Sequence, residues 1–161
     1  MKFYIFPGLG ETKKDYLWLI EAAEKKYSVV FIDLDFNKNS FSELKKIKLE
    51  PDSIVFGFSI GALVAYKNIS PVSKGIYCSI SNILGEDTLG KEKDIKDIFN
   101  EKMLDEFKNE NYGKPNTKDY IIFCGENELD KTTRKFENLE IIKNTEHILN
   151  TKYRRRIINN I

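Results

Sequence analysis

The chain has 161 residues, of which 41% are hydrophobic and 32% are charged, and its formal net charge is +1. This composition is too apolar for a disordered chain, and the near-neutral charge argues against nucleic acid or an anionic membrane surface as the main partner. Two cysteines and a single histidine supply neither a disulfide framework nor the ligand spacing of a zinc site. A chain of this length is expected to form one domain, residues 1–161, with its own hydrophobic core.

The sequence also carries no signal for a membrane. No apolar run approaches the roughly 18 residues that a bilayer-spanning helix needs. No charged-then-apolar leader precedes the first predicted strand, which starts at Lys2. The expected compartment is therefore the cytoplasm.

Short apolar runs alternate with amphipathic stretches along the chain. In chain order, the predicted strands are Lys2–Phe6, Ser28–Ile32, Ser53–Phe56, Gly75–Ile80, Tyr120–Cys124 and Leu139–Lys143. The predicted helices are Lys14–Lys26, Phe41–Lys48, Ser59–Asn68, Glu92–Asn109, Lys131–Asn138 and Glu146–Asn159. The strand runs are nearly continuous in apolar residues, which is typical of strands buried on both faces of a parallel sheet. The pattern predicts an α/β fold: a doubly wound, mostly parallel sheet of about six strands, with helices on both faces and no separate cap domain.

One segment combines a catalytic motif with this secondary structure. Gly57-Phe58-Ser59-Ile60-Gly61 is a G-x-S-x-G sequence between a buried strand and an apolar helix. In a nucleophile elbow the serine lies on a sharp strand-to-helix turn, and the positions two before and two after it need glycine because a side chain there would collide with neighbouring elements. The serine also lies at a helix N-terminus, where developing negative charge is favoured. The alternative is a serine that only caps the helix.

The whole chain resembles the α/β-hydrolase superfamily. The resemblance rests on Phe6–Gly10 after the first strand, on Gly57–Gly61 after the third, and on a late acid followed by a later histidine. The chain starts at what would be the third strand of the superfamily. The resemblance implies a small serine hydrolase of the minimal α/β-hydrolase fold and does not place it in a subfamily.

A serine nucleophile needs a base, and the only histidine of the chain is His147. It follows the last predicted strand, where the superfamily carries its base, and it falls at the start of the predicted final helix. The chain order serine, acid, histidine is that of the hydrolases. A solvated surface histidine is the alternative interpretation.

The acid is expected on the loop after the fifth strand. In the superfamily the acid is commonly an aspartate three residues after a glycine, and Glu128 holds that position relative to Gly125. Asp130 is the rival, although aspartate is also a favoured N-cap for the helix predicted to follow it. Asp87, after the fourth strand, is a further candidate.

Two backbone N–H groups should stabilise the oxyanion that acyl transfer creates. One is that of Ile60, directly after the nucleophile, and the other belongs to the loop after the first strand. Pro7 has no N–H group, so Leu9 is the best match to the position in the superfamily. The alternative for Gly8 and Gly10 is an ordinary turn.

The predicted protein is therefore a serine hydrolase of the carboxylesterase or thioesterase type. Ser59 attacks the acyl carbonyl, His147 transfers the proton and Glu128 orients His147. The substrate is a small acyl ester or thioester, free or bound to a carrier, and no metal or organic cofactor is implied. Two alternatives are a non-catalytic binding or scaffold protein with the same fold and a nucleotide-binding domain that uses Phe6–Gly10 as a phosphate loop.

Overall fold

In the computed structural model, which describes residues 1–84 and 98–161, six strands form one parallel sheet. The strands are β1 (Lys2–Phe6), β2 (Ser28–Phe31), β3 (Ile54–Phe58), β4 (Lys74–Cys78), β5 (Tyr120–Gly125) and β6 (Leu139–Ile142). Their order across the sheet is β2-β1-β3-β4-β5-β6, and every neighbouring pair is parallel. The predicted doubly wound α/β fold is confirmed.

Helices cover both faces of the sheet. Their bounds are α1 (Leu17–Ala23), α2 (Phe41–Leu44), α3 (Ser59–Tyr66), α4 (Glu101–Asn109) and α5 (Thr151–Ile158), with short 3₁₀ segments at Lys13–Tyr16, Glu126–Glu128 and Thr133–Lys135. Side chains of α2, α3 and α4 share one buried cluster, and those of α1 and α5 share the other. No helix within the described residues is long and apolar enough to cross a membrane.

The apolar strands supply both clusters because successive side chains point to opposite faces of a strand. In β1, Tyr4 and Phe6 lie in the cluster with α3, whereas Phe3 and Ile5 lie in the cluster with α1. All four side chains are at most 5% exposed. A nearly continuous apolar run is therefore what a strand between two helical layers requires.

The functional edge of the sheet is set by its topology. The chain moves from β1 outward to β2, and it then returns to place β3 on the other side of β1. Phe6 pairs with Gly57, so β1 and β3 end at the same level. In open α/β sheets, the crevice at such a reversal, at the carboxyl ends of the strands, is where ligands bind. The loop after β1 and Ser59 lie at this reversal.

One predicted helix was wrong, and another begins later than predicted. Residues 131–138 form only the 3₁₀ turn Thr133–Lys135, and Asn138 has a φ of 55°, which a continuing helix does not allow. The final helix begins at Thr151 rather than at residue 146. His147 therefore lies in a loop and does not open the helix. The predicted helix Glu92–Asn109 is described only in its second part, as α4, since residues 92–97 lie outside the described residues.

The start of α5 is fixed by a side chain. The Oδ1 atom of Asn150 accepts hydrogen bonds from the backbone N–H groups of Lys152 at 3.0 Å and Tyr153 at 3.3 Å. This is the N-cap arrangement, which satisfies donors that have no partner within the helix. The loop that carries His147 thus ends at a defined residue.

We expect Asn150→Ala to lower the free energy of unfolding by about 1 kcal/mol, the usual value of an N-cap. Glu146→Ala, at the residue where the sequence pattern places the helix start, should change it by less than about 0.5 kcal/mol. Urea denaturation of both variants measures the difference. A larger loss for Glu146→Ala would mean that the helix begins earlier.

Candidate active site

Ser59 lies on a sharp turn between β3 and α3. Its φ of 55° is in the left-handed region, which residues other than glycine rarely adopt. The turn lifts the side chain to the carboxyl edge of the sheet, where Ser59 is only half-buried. The Ser59 carbonyl accepts a hydrogen bond from Ser81 N–H at 3.2 Å, which ties the turn to the segment after β4.

The two glycines around Ser59 are required by the close approach of neighbouring backbone. A Cβ atom on Gly57 would lie 2.5 Å from the Cα of Ala62, one turn into α3. A Cβ atom on Gly61 would lie 2.1 Å from the carbonyl oxygen of Pro7 and 2.4 Å from that of Phe6. Neither clash can be relieved by a side-chain rotation.

His147 meets Ser59 from the loop between β6 and α5. Its Nε2 atom is 2.8 Å from Ser59 Oγ, and its ring centroid is 5.1 Å from that of Phe58. The loop is anchored below the histidine by Thr145, which is buried and whose Oγ1 donates to the Ile142 carbonyl at 2.7 Å. The Thr145 carbonyl also accepts from Asn127 N–H at 3.0 Å, so the loops after β5 and β6 are joined.

Glu128 completes a chain of hydrogen bonds. Its Oε2 atom is 2.7 Å from His147 Nδ1. Its Oε1 atom accepts hydrogen bonds from the Ser79 hydroxyl, the Tyr153 hydroxyl and Gly125 N–H, each at 2.6 Å. Burial alone would raise the pKa of this carboxyl, but the bonds from His147, Ser79, Tyr153 and Gly125 outweigh burial and lower the pKa to about 2. Glu128 is therefore a carboxylate at neutral pH.

The rival acid has other contacts. Asp130 Oδ1 accepts hydrogen bonds from Thr133 N–H and from the Thr133 hydroxyl, both at 2.7 Å, and Oδ2 accepts from the Asn82 amide at 2.5 Å. Both carboxylate oxygens are thus used in holding the turn at Thr133 and the segment after β4. Asp87 lies outside the described residues.

In the loop after β1, the backbone N–H of Gly8 is already hydrogen-bonded to side chains. Gly8 N–H donates to Glu11 Oε2 at 2.8 Å and to the Tyr16 hydroxyl at 3.1 Å. The Tyr16 hydroxyl itself donates to Glu11 Oε2. Since Pro7 has no N–H group, Leu9 is the first residue of this loop whose N–H is not committed to these partners.

The second predicted oxyanion donor lies at the start of α3. Ile60 is the second residue of that helix, and the first N–H groups of a helix have no partner within it. The helix dipole adds partial positive charge at the same place. Ile60 N–H is therefore suited to receive negative charge beside Ser59.

A small cleft of about 280 Å³ adjoins Ser59 and His147. It is lined by Ser59, Ile80, Ser81, Asn82, Ile83, Cys124, Glu128, Thr133 and His147. Burial and the nearby charge of Glu128 raise the pKa of the Cys124 thiol to about 12. The thiol is protonated at neutral pH, so Cys124 is a poor nucleophile.

Sequence reasoning missed the residues that hold the acid and the loop after β1. Ser79 and Tyr153 contact Glu128, and Glu11 and Tyr16 bind Gly8 N–H. Ser79 and Tyr153 stand 74 positions apart in the chain, and each resembles an ordinary polar or core residue. Only the fold brings them together.

Comparison with known proteins identifies the fold. At the level of sequence, neither a family model nor a curated protein matches the chain. Among solved structures, the naproxen esterase (carboxylesterase NP) of Bacillus subtilis is similar over 99% of this chain and 81% of its own, with a TM-score of 0.64 and 11% identity. Carboxylesterase CesB of Bacillus subtilis matches the same shares with a TM-score of 0.59 and 9% identity.

A type II thioesterase from the yersiniabactin biosynthetic pathway is similar over 99% of this chain and 90% of its own, with a TM-score of 0.53 and 11% identity. These neighbours are α/β-hydrolases. The chain thus has the α/β-hydrolase fold, as the sequence resemblance predicted, in a minimal form.

We expect Gly61→Ala to destabilise the protein despite the helix propensity of alanine, which favours the substitution by about 1 kcal/mol. The clash with the backbone of Phe6 and Pro7 should cost about 3 kcal/mol or more, at the upper end of overpacking penalties. Gly10→Ala is the control, because Gly10 has a φ of 72° but a Cβ atom added there would meet no other atom within 4 Å. Its cost should stay near 1 kcal/mol. Urea denaturation ranks the two, and an equal or smaller loss for Gly61→Ala would refute the packing argument.

Proposed function

We propose that the protein is a serine hydrolase that cleaves a carboxylic ester or thioester through an acyl-enzyme on Ser59. The observation that carries the proposal is the continuous chain of hydrogen bonds from Ser59 Oγ through His147 to Glu128. The distance from Ser59 Oγ to His147 Nε2 is 2.8 Å, which allows direct proton transfer from the hydroxyl to the imidazole. The distance from His147 Nδ1 to Glu128 Oε2 is 2.7 Å. The chain lies at the sheet edge where this fold places its ligands.

Glu128 sets the tautomer of the base. As a carboxylate it accepts a hydrogen bond from Nδ1–H of His147. The proton thus stays on Nδ1, and the lone pair of Nε2 is directed at Ser59 Oγ. The same negative charge stabilises the imidazolium that forms when His147 takes the serine proton. The glutamate thus does for the imidazole what an aspartate does in the serine proteases.

The reaction follows from these positions. Ser59 Oγ forms a bond to the acyl carbon while its proton moves to His147 Nε2, and the carbonyl oxygen becomes an oxyanion. His147 then gives that proton to the leaving alkoxide or thiolate, and the carbon–oxygen or carbon–sulfur bond breaks. A water molecule then attacks the acyl-enzyme: its oxygen bonds to the acyl carbon while its proton moves to His147. The bond between that carbon and Ser59 Oγ breaks, the acid leaves, and Ser59 recovers the proton from His147.

Leu9 and Ile60 are assigned to the oxyanion. The N–H of Gly8 is bound to Glu11 and Tyr16, and Pro7 has none, so Leu9 is the donor available from the loop after β1. The Ile60 N–H at the start of α3 supplies the second donor. Losing one such donor typically costs about 100- to 1000-fold in rate.

The class of substrate is supported by two observations. The structural neighbours include two carboxylesterases and a thioesterase, and a hydrolase function fits the site geometry independently of that likeness. The cleft beside Ser59 is about 280 Å³ and includes Ile80 and Ile83, which suits a small acyl group. A small-molecule ester or thioester fits this cleft, and an acyl group delivered by a carrier would reach it from the open side.

We expect Ser59→Ala to reduce kcat for a p-nitrophenyl ester by about 1000-fold or more, because triad enzymes without their nucleophile retain only binding and oxyanion stabilisation. The melting temperature should change by a few degrees at most, since alanine has the same backbone requirement as serine at this turn. Ser28→Ala is the control: it removes an exposed serine hydroxyl at the start of β2, outside the cleft, and should leave kcat within about threefold. Residual activity above a tenth of the wild-type value in Ser59→Ala would exclude Ser59 as the nucleophile.

Substitutions of the two acids in the loop after β5 should have different effects: one on kcat and the other on stability. Glu128→Gln removes the charge that holds the His147 tautomer, and we expect kcat to fall by about 100- to 10,000-fold. Asp130→Asn keeps an oxygen for Thr133 but turns an amide toward Asn82, so it should cost about 1 kcal/mol of stability and leave kcat within about threefold. Steady-state kinetics and thermal unfolding of both variants measure this. The opposite pattern, an inactive Asp130→Asn beside an active Glu128→Gln, would show that the acid is misassigned.

A further inference from the structure

Two buried hydroxyl groups meet the oxygen of Glu128 that does not face His147. Ser79, directly after β4, is 2% exposed, and Tyr153, in the first turns of α5, is fully buried. Their hydroxyl oxygens lie 2.8 Å apart, and each lies 2.6 Å from Glu128 Oε1. The third partner of that oxygen is the N–H of Gly125 at the end of β5.

The proton count of this cluster favours a charged Glu128. The two hydroxyls carry one proton each, and both reach the same carboxylate oxygen as donors. Burial and the neighbouring carboxylate raise the pKa of Tyr153, so the tyrosine keeps its proton. A proton on Oε1 would leave that oxygen unable to accept from all three of its donors, Ser79, Tyr153 and Gly125. The arrangement is therefore complementary to the carboxylate and not to the acid.

The backbone at Ser79 is held in an uncommon conformation. Its φ is 49°, in the left-handed region, although the residue is not a glycine. Such a conformation typically costs about 1 kcal/mol or more and persists where the surroundings demand it. Here it directs the hydroxyl at Glu128 while Ser79 N–H still donates to the Phe123 carbonyl at 2.7 Å. A glycine would relieve the backbone but would supply no donor.

A glutamate needs this support more than an aspartate does. Its carboxyl group is separated from the backbone by one more rotatable bond, which adds freedom that must be lost to hold one geometry. The donors on Oε1 come from three separate elements: the end of β4, the end of β5 and α5. Together they leave one oxygen, Oε2, free to accept from His147 Nδ1.

We propose that Ser79 and Tyr153 are positioning residues for the site, which fix the Glu128 carboxylate so that His147 keeps its proton on Nδ1 and its lone pair toward Ser59. This role rests on the proposed serine hydrolase function. Neither residue touches the substrate. Their effect passes through Glu128 to the tautomer of His147.

The test uses the fact that the chain has one histidine, so both imidazole nitrogens give unambiguous signals in ¹⁵N NMR of the labelled protein. Tyr153→Phe and Ser79→Ala each remove one hydroxyl, and the double variant removes both. The control is Tyr66→Phe, since Tyr66 is also buried and donates its hydroxyl to a backbone carbonyl, that of Gly113, at 2.9 Å.

In the wild type at a pH where the imidazole is neutral, we expect nitrogen shifts of the Nδ1–H tautomer. In the double variant, both shifts should move toward the values of a mixture of tautomers. We expect each single variant to lose about 10-fold in kcat for a p-nitrophenyl ester, the size of one hydrogen bond to a charged group, with KM within about twofold. The losses of the two singles should not add, because both hydroxyls serve one oxygen. Tyr66→Phe should change neither tautomer nor kcat.

Ser79→Gly separates positioning from a purely structural role. It relieves the left-handed backbone, so it should be at least as stable as Ser79→Ala and yet show the same loss of kcat. Recovery of kcat in Ser79→Gly would overturn the proposal, as would a double variant that keeps the wild-type tautomer. The NMR measurement needs no turnover: a wild type that hydrolyses no ester contradicts the proposed function, while the tautomer shift still decides the role of Ser79 and Tyr153.

Discussion

The geometry of the site depends on one close contact, between the start of α3 and the end of β1. Because Gly61 has no side chain, the backbone of α3 can lie against the carbonyl groups of Phe6 and Pro7, where even a methyl group would lie 2.1 Å from an oxygen. The contact brings the loop after β1 beside Ser59. The helices that follow β1 and β3 cover opposite faces of the sheet, so the two segments diverge beyond this point and a crevice opens between them.

The second constraint is the carboxylate that this edge of the sheet partly buries. The side chain of Glu128 is 14% exposed, and an ion in such a place is costly unless hydrogen bonds replace its water. Four donors do so, and together they outweigh burial in its pKa. Three of these donors, Ser79, Tyr153 and Gly125, bind Oε1 and fix the carboxylate. The other oxygen, Oε2, accepts from His147. A structure that stabilises the anion in this way also stabilises the imidazolium beside it.

The sequence indicated the strands and the turn at Ser59 for physical reasons that are local, whereas His147 and Glu128 were expected from the resemblance to the α/β-hydrolases. Strands between two helical layers need continuous apolar runs, and the glycines two residues on either side of Ser59 reflect contacts that tolerate no side chain. The helix predicted at residues 131–138 was wrong because the turn there ends at Phe136, whose backbone is extended, and the start predicted at residue 146 was wrong because Asn150 caps the final helix. Ser79 and Tyr153 gave no signal, because their contacts with Glu128 form only where distant segments of the chain meet.

The two carboxylates of the loop after β5, Glu128 and Asp130, show the same limit. Either carboxylate lies on the right loop, and the sequence alone left both open. The structure separates them by reach: Glu128 Oε1 accepts from Gly125 N–H, three residues back, while Oε2 extends to His147. An aspartate at position 128 would be shorter by one carbon–carbon bond, about 1.5 Å, and could not keep both partners at hydrogen-bond distance in this backbone. The longer side chain is therefore matched to the turn that carries it, and the hydroxyls of Ser79 and Tyr153 offset the freedom that its length adds.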